Sequence, residues 1–162
     1  MGLFTPLAVR MGAISWLPRL LPQIVWCDKT LHRVTGGRLT LLDIAGLPNL
    51  TLTVRGRTSG TERTTPLLCV PDGDAILIAG SYFGGPKTPQ WVGNLRAFEG
   101  AANVEYRRQR FAVTAVELTG EERATAWRTM LETWPNYAKY EQRTERTIPV
   151  FRLERASSAT AR

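Results

Sequence analysis

A small antiparallel barrel, mainly β with two or three inserted helices and six short strands, is the fold this chain predicts. Three observations predict it. Short segments of alternating or apolar character recur from residue 50 onward, hairpin-type turn residues separate them, and two of the intervening stretches carry helix start and stop signals. A chain of 162 residues, 43% hydrophobic, is long enough for one core, which at this size buries about two thirds of the surface its unfolded form exposes.

The elements follow in order. LTLTVR (Leu50 to Arg55) alternates apolar and polar side chains as a half-buried strand does, and GRTSG supplies a turn. Pro66 to Val70 resumes a strand, PDGD (Pro71 to Asp74) is a hairpin turn, and AILIAG (Ala75 to Gly80) is a third strand, so the three read as a meander. Thr88 as N-cap and Pro89 as first helical residue open QWVGNLRAFE, which Gly100 ends. Strands around Val104 to Arg107 and Phe111 to Leu118 flank the basic turn RRQR. Thr119 and Glu122 form a capping box for a helix reaching about Trp134, Pro135 interrupts it, NYAKYEQ makes a short helical piece, and IPVFRL (Ile148 to Leu153) is the last strand. The chain thus divides into a basic amphipathic N-terminal segment (1–35), a barrel domain (36–154) and a disordered tail (155–162).

The first 26 residues are apolar, carry Arg10 and Arg19 and hold no acid. Pro6, Pro18, Pro22 and the two arginines cut them into pieces shorter than the roughly 18 to 20 apolar residues a spanning helix needs. What remains is a kinked amphipathic segment that packs on the protein or lies on an anionic membrane surface. The net charge of +7 rests on 18 arginines and only Lys29, Lys87 and Lys139, and charge alone does not choose among nucleic acid, membrane and phosphorylated ligands. Cys27 and Cys69 stand far apart and His32 is the single histidine, so neither a metal centre nor a Ser-His-Asp triad is supported. Reduced thiols and a cytoplasmic location are expected, at the inner face of the membrane if the N-terminal segment docks there. No P-loop and no Rossmann glycine motif occurs.

A different phosphate-friendly loop does occur. GRTSGTER (Gly56 to Arg63) sets Arg57 and Arg63 around small residues whose N–H groups can converge on an anion, although the same residues also make an ordinary hairpin turn. Tyr137 and Tyr140, at i and i+3, share a helical side, yet an aromatic group of this kind with Trp134 ordinarily packs a core.

GRTSG-x-x-R-x-x-PL, a following GS, P-x-W-x-x-NL, WPNYAKY and RTIPVFRL arrive in an order that resembles the deazaflavin (coenzyme F420)-dependent nitroreductase and quinone reductase family, over residues 36 to 153. The resemblance implies a split β-barrel with the 8-hydroxy-5-deazaflavin in a groove along it, and hydride transfer to a quinone or nitro-type acceptor such as menaquinone. It implies that Arg57, Thr58, Ser59 and Arg63 meet the coenzyme's anionic tail. Pro66, Leu67 and Leu68, with Ala79, Gly80, Ser81 and Tyr82, would flank the ring through backbone groups. Trp91 would cover the coenzyme and Asn94 would hydrogen-bond it, against the plainer reading in which Trp91 is core. Trp134, Tyr137 and Tyr140 would line the substrate side, with Tyr137, Tyr140 or Ser81 stabilising charge on the acceptor oxygen. Three positions depart from the pattern: Trp134 stands for a tyrosine, Thr58 for a lysine or arginine, which predicts a weaker hold on the tail, and Leu68 for a tyrosine found in one branch, which weakens the case for a nitroimidazole substrate. No nucleic-acid partner is implied and the oligomeric state is left open. The alternatives are a flavin mononucleotide-dependent split-barrel oxidoreductase and a barrel that binds coenzyme or lipid without turnover.

Overall fold

The computed structural model describes residues 46–156 and Thr30. The N-terminal amphipathic segment, Cys27, His32 and residues 157–162 of the expected tail lie outside the described residues. Strands β1 (Asn49–Arg55), β2 (Glu62–Leu68), β3 (Val70–Asp72) and β4 (Ala75–Ala79) precede helix α1 (Gln90–Ala97). Then come β5 (Ala101–Tyr106), β6 (Gln109–Glu117), α2 (Gly120–Thr133), α3 (Asn136–Gln142) and β7 (Val150–Arg155). The result is a mixed β and α fold with one curled antiparallel sheet of seven strands, in the order β2-β1-β5-β6-β7-β4-β3.

Seven strands replace the expected six because the segment read as one strand breaks at Cys69. β2 pairs with β1 from Asn49↔Leu68 to Arg55↔Glu62, while β3 pairs with β4 from Val70↔Leu77 to Asp72↔Ala75. The meander is therefore present in connectivity, but its middle strand is split between opposite ends of the sheet. One residue joins those ends, so the sheet must curl. Cys69 donates its N–H to Pro48 O at 3.0 Å, which keeps the break hydrogen-bonded.

Other boundaries shift for local reasons. Pro71 and Asp72 belong to β3, leaving Gly73 and Asp74 as the turn. In the basic turn only Arg107 and Arg108 reverse the chain, at φ of 50° and 64°. A two-residue hairpin turn of that hand demands positive φ at both positions. Pro89, not Thr88, occupies the N-cap of α1, and Thr119 caps α2 without a side-chain hydrogen bond, so the expected capping box is not formed. Arg155 lies in β7, within the segment read as tail, and Ala156 donates to Ala112 O at 3.0 Å.

The curl yields two apolar clusters. Leu50, Leu52 and Val54 of β1 turn one face inward with Val104, Val113 and Phe151, and α1 fills the concavity with Trp91, Val92 and Leu95. On the other side of the β3-β4-β7 end, α2 and α3 bury Ala126, Trp127, Met130, Tyr137 and Tyr140 against Leu77, Ala79 and Val150. β4 is covered on both faces, Ile76 and Ile78 toward the first cluster and Leu77 and Ala79 toward the second. That two-sided burial is why its sequence is an unbroken apolar run. Burying each such side chain contributes about 1.5 to 3 kcal/mol. By comparison the Arg96–Glu117 pair, bidentate at 2.8 and 2.6 Å but half-exposed, contributes about 0 to 1 kcal/mol, so the cores carry the fold. The arginine surplus has a packing use as well: Arg55, Arg107, Arg123, Arg143 and Arg155 lie over Phe98, Tyr106, Trp127, Tyr140 and Phe111, a stacking that planar guanidinium performs better than an ammonium.

Burial at the break pushes the Cys69 thiol up from 9.0 to about 12, with Arg107 opposing the rise. Between those values the native thiol keeps its proton while the unfolded chain releases it, so stability falls as pH rises, by up to about 1.4 kcal/mol per pH unit. Thermal melts of a Cys27→Ala protein at pH 8 and 10 are expected to show this loss, and Cys69→Ala to show less of it. Equal pH slopes in the two proteins would remove Cys69 from the effect.

Candidate functional site

The β1–β2 turn is held closed by its own backbone. Gly56 and Thr61 pair through Gly56 N–H and Thr61 O at 2.8 Å, Gly60 N–H returns to Gly56 O at 2.8 Å, and Gly60 takes φ +68°. Arg57, Thr58, Ser59 and Arg63 are all exposed on this hairpin, so two guanidinia and two hydroxyls face solvent within seven residues. The Arg57 N–H donates to Asn94 Oδ1 at 3.2 Å, and its Nη1 makes longer contacts with Asn94 Oδ1 and Gln90 O, at 3.5 and 3.4 Å. The turn is thereby tied to α1.

The two residues expected from α1, Asn94 and Trp91, lie on its inner side. The Asn94 side chain is 6% exposed and its oxygen is engaged by Arg57, so it anchors the turn instead of reaching outward. Trp91 is equally buried and tilts against Phe151 with centroids 5.7 Å apart. It belongs to the first core cluster, because the face of α1 shared by i and i+3 turns into the sheet's concavity.

The opposite side of α1 meets a second loop. Gly80 packs so closely that a Cβ there would stand 2.8 Å from Val92 Cγ2 and 2.9 Å from Pro149 Cγ. Ala79 and Gly80 are buried, Ser81 is half-buried and Tyr82 is exposed. Tyr82 and Phe83 have φ of 47° and 53° and Gly84 follows at 78°. Left-handed backbone at two non-glycine residues costs on the order of 1 to 3 kcal/mol each, strain of the kind that gathers at ligand sites. Pro66, Leu67 and Leu68 sit half-buried on β2, offering apolar edges.

Behind this loop stand the aromatics. Tyr137 and Tyr140 are each 2% exposed and Trp134 6%. Their rings meet edge to face at 6.0 Å, and Phe83 packs on Tyr140 at 5.7 Å. Trp134 Nε1 donates to the Tyr140 hydroxyl at 3.3 Å. The Tyr137 hydroxyl meets no hydrogen-bond partner among the described residues. Burial raises the pKa of both phenols, most strongly that of Tyr137, so each stays protonated and able to donate. Both rings belong to the second core cluster, and among the described residues the Tyr140 hydroxyl is engaged by Trp134 while the Tyr137 hydroxyl has no hydrogen-bond partner.

Sequence reading passed over Arg146, although it stands in the RTIPVFRL motif. Its Nη2 donates to Ser81 O at 2.9 Å and its Nε to Gly85 O at 3.1 Å, while Nη1 is buried without a partner among the described residues. Two concavities of about 170 and 310 Å3 lie elsewhere. In the first, Arg107 and Arg155 are already stacked on Tyr106 and Phe111, and the second presents Asp72, Glu121 and Glu122. Neither chemistry invites an anionic ligand. Among the described residues no cluster of histidine, cysteine and carboxylate could hold a metal, and no helix is long and apolar enough to cross a membrane.

An arginine-bearing turn and a strained, arginine-clamped loop on two sides of one helix define a β and α protein suited to an elongated anionic coenzyme. The chain belongs to the F420H(2)-dependent quinone reductase family, whose model matches residues 26–155. It is 35% identical over 149 residues to an F420H(2)-dependent quinone reductase of Mycobacterium tuberculosis, covering 90% of this chain and 99% of that one. Among solved structures it resembles an F420-H2 dependent reductase, FDR-A, at 36% identity and TM-score 0.61 over 66% of this chain and 94% of that chain. It also resembles a domain-swapped dimer at 32% identity and TM-score 0.63, over 80% and 97%. It is thus an F420H2-dependent reductase with F420 as coenzyme. The residues present fit that group: exposed guanidinia for an anionic tail, apolar edges for a ring, and a half-buried cation, Arg146, on the 81–85 loop with one buried N–H unmet among the described residues.

A Cβ on Gly93 would collide with Arg57 Nη1, the movable end of a side chain. Gly93→Ala is therefore expected to displace Arg57 from α1 while raising helix propensity by up to about 1 kcal/mol. Melting temperature should hold or rise and the F420 dissociation constant should rise roughly five- to tenfold, the loss of about one charge-assisted contact. Unchanged affinity in fluorescence titration would take the Arg57 guanidinium out of the site.

Proposed function

We propose that this reductase passes a hydride from reduced F420 to a quinone, and that its chain forms a split barrel whose groove runs from the β1–β2 turn past α1 to the 79–85 loop. The observation that carries the reading is that α1 joins the two walls: Asn94 fixes the arginine turn on one side and Val92 seats Gly80 on the other. Reduced F420, when bound, supplies the hydride. The chain's own residues bind, orient and balance charge. Arg57 and Arg63, with the Thr58 and Ser59 hydroxyls, hold the anionic tail as charge-assisted donors. Pro66, Leu67 and Leu68 and the backbone of Ala79 to Tyr82 flank the ring, and Trp91 supports that wall from within.

A hydride brings two electrons and one proton to the acceptor, leaving an oxyanion that takes a second proton. Ser81 stands half-buried at the start of the loop whose Phe83 packs on Tyr140, and Tyr137 keeps a protonated hydroxyl with no hydrogen-bond partner among the described residues. We assign these two as donors to that oxygen. Tyr140, whose hydroxyl Trp134 already engages, orients Tyr137 through the ring contact, and Trp134 completes the acceptor wall. A nitro group would build the same negative charge on oxygen, but Leu68 removes one phenol from the ring side, which favours the quinone.

Wild-type protein should bind oxidised F420 with quenching of tryptophan fluorescence and bind flavin mononucleotide far more weakly. Arg63→Ala should weaken F420 binding by about 1.5 to 3 kcal/mol. In single-turnover oxidation of pre-reduced coenzyme by a soluble menaquinone analogue, Tyr137→Phe should slow the hydride step about tenfold to a thousandfold with coenzyme affinity retained, and Tyr140→Phe less. Wild type that binds reduced coenzyme but oxidises it no faster than solution would sink the quinone reading. Faster turnover of a nitroaromatic in the parallel assay would exchange the acceptor class.

A further inference from the structure

Arg146 lies in the connection between α3 and β7, far in sequence from the loop it serves. Nη2 and Nε bracket that loop by its two ends, at Ser81 O and Gly85 O, and Arg143 Nη1 approaches Phe83 O at 3.4 Å. Three alternate carbonyls of residues 81–85 are thus drawn to one side by two guanidinia. Between them the backbone is left-handed at Tyr82, Phe83 and Gly84. Gly84 lies against α3 so closely that no larger residue fits, since a Cβ there would stand 2.6 Å from Tyr140 O.

The cation itself is poorly served by this arrangement. Nη1 is buried without a hydrogen bond, and the ion pairs among the described residues engage Arg96, Arg123 and Arg152 but not Arg146. Burial draws its pKa down, although a guanidinium starts so far above neutrality that it stays charged. A half-buried guanidinium with one N–H buried and unmet carries a desolvation cost that an apolar side chain would not. The cost is accounted for by the two carbonyls it holds.

We propose that Arg146 is a positioning residue for hydride transfer, clamping the 81–85 loop in its strained form so that Ser81 and the neighbouring backbone meet the ring and acceptor. The inference rests on the reading that residues 79 to 82 flank the coenzyme ring. Guanidinium geometry is what the role requires, since the two carbonyls are reached by separate nitrogens of one rigid plane. Lysine can reach one of them.

The test uses the full chain with Arg146→Met and Arg146→Lys. Without coenzyme, amide exchange at residues 82–85 should quicken at least tenfold in both variants while exchange in β4 and α2 stays as in wild type. With F420, the dissociation constant should change less than about fivefold, because the tail is held elsewhere, and the single-turnover hydride step should slow about thirty- to three-hundredfold, as a misplacement near 1 Å does. Ser81→Ala should cost at least tenfold in the wild-type background and less than threefold in Arg146→Met, since the clamp acts through that loop. Unaltered exchange at 82–85, or multiplicative losses in the double variant, overturns the clamp. Should Arg146→Met fail to fold, Arg146→Lys carries the same comparison. A wild type that binds F420 yet turns over no quinone fails the proposed function instead, and the exchange result still decides the clamp.

Discussion

One residue ties the two ends of the sheet together. Because β2 ends at Leu68 and β3 begins at Val70, the edges of a seven-stranded ribbon are held within one peptide step of each other at Cys69. A flat sheet with strands about 4.8 Å apart could not bring its first and last members so close, so curvature is imposed by the chain and not chosen by the side chains. The curl makes a concavity that only a short helix can fill, which is where α1 goes, and it leaves the outer face of β3, β4 and β7 to be covered by α2 and α3. Both halves of the site inherit their positions from that arrangement.

The site is consequently supported from behind at every point. Asn94 spends its oxygen on the arginine turn, Val92 leaves room for no side chain at residue 80, and Tyr140 backs the strained loop through both its ring and its carbonyl. Such a design keeps the ligand-facing groups few and exposed, while the residues that fix them are buried and engaged. It also separates two placements of arginine in this chain: guanidinia stacked on aromatic faces close the surface of the fold, whereas Arg57 and Arg146 are hydrogen-bonded to α1 and to the 81–85 loop.

How far the sequence could be read follows the range of the interactions involved. The alternation in LTLTVR and the apolar run of AILIA located β1 and β4, and Pro135 divided α2 from α3 where the structure divides them, because these signals are local. The break at Cys69 left no such mark, since a strand that changes partners halfway looks like a strand throughout. Periodicity on α1 placed Trp91 and Asn94 on one face but could not say that this face looks into the sheet. The arginine-bearing segment was legible as a hairpin turn from its glycines and hydroxyls. Arg146 was not, since its partners lie more than sixty residues away and a cation in a polar connection ordinarily faces water.

The same crossing at Cys69 bears on how the chain assembles. The hairpins β1–β2, β3–β4 and β5–β6 each close a loop of a few residues and can form in microseconds, but β1 must find β5 across about fifty residues and β4 must find β7 across about seventy. Until both of those pairings exist, neither cluster is enclosed and β2 and β3 cannot both be seated. The structure is thus rich in long-range pairings, and the β7 pairings that enclose both clusters also anchor the connection from which Arg146 reaches its loop.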